Sequence, residues 1–305
     1  MLVFATSDKG GTGRSVTSSN VAYRRALQGG DVCYLDFDFG SPTAGAIFNI
    51  PSAFYGTEKG GLHAYLRGEV AAPQRLEVWS ESDRSGLRGR PAGAGRLTLI
   101  PGDRGGGEFA GTPEMVRRCI ALLLRLQEEY ELCLIDLSAG RSYATDIALE
   151  VTADPRLRGV TSRWLVFHRW TRQHIIAAAG LVNGARGLLE TGALRGHDPV
   201  RLAQQIRFVR TAVVDPDSPE LAGLSPGQIA WLRKCNTDLQ TMAREYGVGR
   251  TSVLGIVPLD PVLQWREQLI SNNDVYTKQI ANEQTAEAFE ELAKRLTDDA
   301  AWSGL

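Results

Sequence analysis

The sequence predicts an α/β protein: a doubly wound, mostly parallel sheet with helices on both faces. Three observations carry that expectation. Short apolar runs with no polar alternation, at residues 2–7, 32–37 and 131–137, read as strands covered on both sides. Segments of helical periodicity alternate with them. A glycine-rich turn at residues 9–15 joins the first strand to the first helix, so the opening segment is one strand–helix–strand unit.

The elements follow in order. Residues 15–28 read as the first helix and 62–66 as a short one. Residues 80–95, rich in Gly, Arg and Ser, read as a flexible surface loop whose Arg84, Arg88 and Arg90, with Arg96 just beyond, are solvated rather than an anion site. A strand is expected at 96–101 and an amphipathic helix at 113–130, with Pro113 near its start. Further strands are expected at 164–168, 207–214 and 252–257. Helices are expected at 172–191, 225–246 and 280–296, with Ser225 as a cap and Pro226 in the first turn of the second. No internal repeat or composition break divides the chain. The expectation is one domain over 1–305, with an inserted helical element around 192–250.

Composition narrows the function classes. The 305 residues carry 34 Lys plus Arg against 35 Asp plus Glu, a net charge of −1, which disfavours a surface given over to nucleic acid. Hydrophobic residues at 43% and charged residues at 23% are ordinary globular values and exclude a disordered or fibrous chain. There is no apolar stretch long enough to span a membrane, and the opening residues have neither the basic nor the long apolar region of a signal peptide. Cys33, Cys119, Cys133 and Cys235 form no Cys-x-x-Cys pair, so small buried thiols in a reducing cytoplasm are expected rather than a metal site or disulfide. The basic residues are 29 Arg and 5 Lys, which makes each lysine the more informative.

The strongest chemical signal is Lys9-Gly10-Gly11-Thr12-Gly13-Arg14-Ser15, after a strand and opening a helix. Glycines let the backbone curl so that several N–H groups converge, and these donors with the helix N-terminus suit a polyphosphate. An ordinary glycine-rich turn is the plain alternative. Asp36, Asp38 and Asp136 fall at the carboxyl ends of apolar strands, where a parallel sheet places its ligand crevice. Each could cap a helix. Together, beside a phosphate loop, they suit Mg²⁺ and the positioning of water.

On these residues the sequence resembles the ParA/MinD group of deviant Walker A ATPases, most closely the MinD-like branch, whose loop reads Lys-Gly-Gly-x-Gly-Lys-[Ser/Thr]. Residues 35–40, residues 134–140 (Leu-Ile-Asp-Leu-Ser-Ala-Gly) and residues 254–260 (Leu-Gly-Ile-Val-Pro-Leu-Asp) resemble its other motifs, in family order over nearly the whole chain. The resemblance implies a P-loop NTPase fold that binds ATP and Mg²⁺. It implies that Lys9 reaches across a dimer interface to the partner's phosphates and that Asp38 orients the attacking water. Gly10, Gly11, Thr12, Gly13, Arg14, Ser15 and Val16 would cradle the phosphates. Ser15, Asp36 and Asp136 would hold the metal. The segment of Pro258 and Asp260 would help enclose adenine.

Two departures stand out. Arg14 replaces the loop lysine; it keeps the charge but is longer, planar and forked. The chain also lacks the basic amphipathic tail of MinD proteins: Glu283, Glu287, Glu290 and Glu291 precede an acidic end, which disfavours a membrane partner. Residues Trp231, Leu232, Leu239 and Met242 are expected to pack in the core or, failing that, to dock a protein partner. Arg169, Trp170, Arg172 and His174 read as a surface cluster rather than a nucleic-acid patch.

The expected function is a cytoplasmic, slowly ATP-hydrolysing homodimeric switch that recruits or positions a protein partner. The alternative is a scaffold in which ATP holds a dimer with little or no turnover, favoured by Arg14. A partition ATPase that binds DNA directly is the weaker third reading.

Overall fold

The computed structural model describes residues 1–218 and 221–303. Residues 219 and 220, within the expected 192–250 element, and the last two residues of the acidic tail lie outside the described residues.

The chain runs β1 (Leu2–Thr6), α1 (Arg14–Leu27), β2 (Val32–Phe37), α2 (Ala44–Ile47), α3 (Leu62–Leu66), β3 (Leu76–Glu77), α4 (Val78–Glu81) and β4 (Leu97–Ile100). It continues through α5 (Pro113–Glu129), β5 (Leu132–Leu137), α6 (Tyr143–Ala153), β6 (Ser162–Arg169), α7 (Arg172–Asn183), α8 (Leu188–Leu194), α9 (Pro199–Gln204) and β7 (Ile206–Val213). It closes with α10 (Pro226–Glu245), β8 (Val253–Pro258), α11 (Pro261–Trp265) and α12 (Glu283–Thr297).

Among the described residues the strands form one sheet in the order β3-β4-β2-β5-β1-β6-β7-β8. Every neighbouring pair is parallel except β3 with β4. The chain leaves β1 toward β2 on one side and later crosses to β6 on the other. This reversal opens a crevice at the carboxyl end of β1.

The period-2 geometry of the strands divides the apolar residues between two cores. Leu2, Phe4, Cys33, Leu35, Cys133, Ile135, Trp164 and Val166 face one layer, with α5, α6 and α7. Val3, Ala5, Tyr34, Leu134, Leu165 and Phe167 face the other, with α1 and α12. Phe4 and Trp164, on adjacent strands, stack at 4.7 Å between ring centroids. The doubly wound expectation therefore holds, and each strand is apolar throughout because both of its faces are covered. The four cysteines are free thiols. Burial pushes those of Cys119 and Cys133 up to about 12, so they pack as small apolar groups.

Capping explains the helix starts. Thr112 accepts from the Met115 N–H ahead of α5, and Ser225 with Gln228 forms a reciprocal capping box ahead of α10.

Several expectations are corrected. The single helix at 172–191 is two, α7 and α8, because the chain turns at Gly184 and Gly187 with Arg186 at φ 54°. Residues 80–95 lie mostly at the surface, as expected, but their arginines are engaged rather than free. Arg84 bonds Leu269 O and pairs with Asp274, Arg88 pairs with Asp83, and Arg90 donates to Ala94 O. Arg96 is likewise engaged, by Asp31. α10 splits the expectation for its apolar side chains. Leu239 and Met242 pack against the core, whereas Trp231 is 63% exposed. Trp170 is buried rather than part of a surface cluster; its indole N–H donates to Asn236 at 2.8 Å and the Arg210 guanidinium stacks on its ring. Among the described residues no helix is long and apolar enough to cross a membrane.

Candidate nucleotide site

The 9–15 loop occupies the crevice beyond β1. Gly11 and Gly13 have φ of +70° and +75°, a conformation that strains other residues, and Gly13 leads into α1. The loop is tied down from three sides. Ser7 Oγ donates to Lys9 O at 3.0 Å, Gly140 N donates to Ser7 O at 2.7 Å, and Thr211 Oγ1 donates to Thr12 O. Arg141, paired with Asp8 at 3.0 Å, holds its outer edge.

Two cavities meet along this loop. The first, about 360 Å³, is lined by Gly10–Val16 backbone and side chains together with Ser7, Asp38, Ser41, Thr43 and Ala139. The second, about 200 Å³, lies where β7 and β8 end, and is lined by Arg169, Thr211, Ala212, Val257, Pro258, Asp260 and Leu263. Gly11, Thr12, Gly13, Val16 and Glu267 line both. One end therefore lies at the loop and the N-terminus of α1, and the other at a slot between the ends of β7 and β8.

Arg14, the first residue of α1, is 6% exposed. Its Nε donates to Asp136 Oδ1 at 2.6 Å, and its Nη2 donates to Asp38 Oδ2 at 2.8 Å and to Ser15 Oγ at 3.2 Å. Burial works against the charged guanidinium, but Asp136 and then Asp38 outweigh it, so its pKa stands above the ordinary arginine value. Burial raises the carboxyl of Asp38, partly opposed by Arg14.

Asp36 points elsewhere. Its Oδ1 accepts from the Asp38 N–H at 3.3 Å and its Oδ2 from the Ala44 N–H at 3.0 Å, so it fastens the loop after β2 to the start of α2. Burial holds its pKa well above the usual carboxylate range, against the pull of the Ala44 N–H. Asp260 is a similar fastener. It accepts from Val262 N at 3.0 Å and Asn282 N at 2.9 Å, and it reaches the slot only as part of its wall. Lys9 stands exposed on the outer side of the loop, while Ser15 is half-buried and Val16 buried.

The sequence reading thus named the loop, Asp38 and Pro258 as neighbours, and the structure brings them together. It missed Thr211 and Ala212 at the end of β7 and Leu263 and Glu267 beyond β8. Thr211 and Ala212 sit at a register shift of β7 against β8, with Ala212 at φ 51°, and nothing in the local sequence marks that bulge. It also missed Ser138, whose Oγ accepts from Phe39 N at 3.1 Å and ties the ends of β2 and β5 together.

Among the described residues no group of three or more His, Cys, Asp or Glu side chains is arranged to hold a metal. The residues expected to bind Mg²⁺ do not form a cation site as they stand. Asp36 is turned to backbone N–H groups, and Ser15 and Asp136 both touch the Arg14 guanidinium. A divalent cation on those oxygens would lie against a like charge. At an effective dielectric constant of 20, unit charges 4 Å apart cost about 4 kcal/mol, and a divalent ion doubles that.

No protein-family model and no curated protein sequence matches the chain. Solved structures do match, over nearly the full length of both chains. The MinD cell division protein of Aquifex aeolicus is 18% identical, with a TM-score of 0.56 covering 97% of this chain and 95% of that one. The septum site-determining protein MinD of Pyrococcus horikoshii, complexed with Mg-ADP, is 15% identical, with a TM-score of 0.56 covering 98% of each. A plasmid partition protein of Borrelia burgdorferi is 12% identical, with a TM-score of 0.56 covering 97% and 96%. At these identities the likeness is one of fold, and it agrees with the strand order and the place of the loop: the chain has the P-loop fold of the MinD and ParA ATPases.

Proposed function

We propose that this chain is a nucleotide-binding protein of the deviant Walker A, ParA/MinD type, a single P-loop domain over 1–305 with a helical element around 192–250. ATP lies with its phosphates in the loop cavity and its base in the slot beside Pro258. The observation that carries this reading is the pair of cavities that share Gly11, Thr12, Gly13 and Val16, one at the start of α1 and the other at the ends of β7 and β8. The Mg-ADP in the Pyrococcus horikoshii structure supports the nucleotide class.

In this reading ATP brings two copies together, Lys9 of each reaches the other's phosphates, and the dimer presents a surface to a protein partner in the cytoplasm. The exposed position of Lys9 and the exposed Trp231 suit those roles. Asp38 orients the attacking water once the Arg14 contact is released.

A second reading has a specific observation behind it. Arg14 holds Asp38 and Asp136 at once, which favours a scaffold in which nucleotide stabilises a dimer with almost no hydrolysis. Direct DNA binding is the least supported, because the charge is balanced.

Phosphate release and molecular mass, measured on one sample with ATP, ADP or neither, decide among these. Turnover with an ATP-dependent dimer supports the switch, and nucleotide binding without turnover supports the scaffold. Absence of nucleotide binding refutes the reading of the site. Asp38→Ala is expected to abolish turnover and prolong the ATP dimer; unchanged turnover and dimer lifetime would remove Asp38 from that role.

A further inference from the structure

Arg14 does more than keep a positive charge in the loop. A side chain directed at phosphate would leave Asp38 and Asp136 bare at the strand ends. Instead the guanidinium uses one edge, Nε and Nη2, to bind both carboxylates and the Ser15 hydroxyl at 2.6–3.2 Å. Two of these oxygens, on Asp136 and Ser15, are ones expected to hold a cation, and the third belongs to the carboxylate expected to orient water. An ammonium is a point charge with no such edge, so this bridging depends on the planar fork of arginine. Asp136 is 2% exposed and Arg14 is 6% exposed, so the pair is a fixed part of the core rather than a surface contact. The remaining strand-end carboxylate, Asp36, is satisfied by two backbone N–H groups and asks for no cation. Nη1 makes no hydrogen bond or ion pair among the described residues, and Arg14 lines the loop cavity, so the Nη1 N–H donors remain for a phosphate oxygen.

We infer that Arg14 stands in for the divalent cation, so that this site takes ATP or ADP as the metal-free nucleotide. The inference rests on the nucleotide reading of the site given above. The guanidinium, held on Asp136, takes a phosphate oxygen, the loop N–H groups and the α1 N-terminus take the remaining phosphate charge, and Mg²⁺ has no part in affinity.

The experiment is a titration of the wild-type chain with a fluorescent ATP analogue, once with Mg²⁺ and once with EDTA. The expected result is binding no tighter with Mg²⁺ than with EDTA. Tightening by about threefold or more on adding Mg²⁺ overturns the inference while leaving the nucleotide site intact. Binding in neither buffer overturns the nucleotide reading itself, and the inference with it. Arg14→Lys then tests the cause. It is expected to make affinity depend on Mg²⁺ by about tenfold or more, and a variant that binds nucleotide but stays indifferent to the metal removes Arg14 from this role. The wild-type comparison needs no variant, so it decides the matter even where Arg14→Lys does not fold.

Discussion

Arg14 Nε donates to Asp136 Oδ1 at 2.6 Å, joining the start of α1 to the end of β5 across 122 positions of sequence. Both side chains are almost fully buried, and the same guanidinium extends to Asp38 beyond β2. Three elements of the crevice are thus held by one charged group.

Because that pair is buried, removing one partner leaves the other uncompensated. Arg14→Ala is expected to destabilise the fold by about 3–5 kcal/mol, and Asp136→Ala by a similar amount. The double variant should lose distinctly less than the sum, since the contact counted in both single changes is one contact. Urea unfolding of the four proteins measures this, and strict additivity would show that the contact contributes nothing specific.

The loop glycines are not equivalent. Gly13 has φ +75°, whereas a Cβ at Gly10 would meet nothing within 4 Å among the described residues and Gly10 has no positive φ. Gly13→Ala should cost about 1 kcal/mol in stability through backbone strain, and Gly10→Ala much less. Thermal melts of the two variants without nucleotide compare them, and equal losses would contradict the backbone argument.

Thr211 Oγ1 donates to Thr12 O from the end of β7 and so fixes the loop to the slot. Thr211→Val keeps the shape and deletes the donor, leaving a buried carbonyl unpaired at a cost of about 1–3 kcal/mol. The expected consequence is weaker nucleotide binding in addition to a lower melting temperature, read by titration with the ATP analogue. Unchanged affinity would mean that the loop holds its shape without this tie.

His168, on β6, is 1% exposed and its Nε2 has no hydrogen-bond partner among the described residues. Burial lowers its pKa to about 4, against the pull of the Arg169 carbonyl and aided by Arg210. An unfolded histidine titrates near 6.5, so as pH falls below that value the unfolded state takes up the proton first. The stability that comes with a neutral His168 is fully present above about pH 6.5 and is lost progressively toward pH 4, to a total of about 3 kcal/mol. His168→Phe should remove that part of the slope. Denaturation curves across this pH range, wild type against variant, should diverge as the pH falls; parallel curves would place the acid sensitivity elsewhere.

The elements with regular patterns were legible. α10 starts where Ser225, Pro226 and Gln228 place it, since capping is a local matter of side-chain and backbone donors within one turn. The helix at 172–191 was misread because apolar spacing continues through the Gly184–Gly187 turn, and periodicity alone does not see a backbone reversal. Arg84 is a loop residue, but its pairing was not legible, because its partners, Leu269 O and Asp274, are brought to it only by the fold.

For this protein the sequence by itself determined the strand–loop–helix start, the buried parallel strands and the carboxylates at their ends. Each of these follows from local patterns of apolar residues, glycine and turn chemistry. Only the tertiary structure decided what the carboxylates do. Asp36, Asp38 and Asp136 look alike as strand-end acids in the chain. One is satisfied by backbone N–H groups, while the other two share Arg14. Which donor reaches which oxygen depends on distances between elements far apart in sequence, and sequence spacing carries no information about those distances.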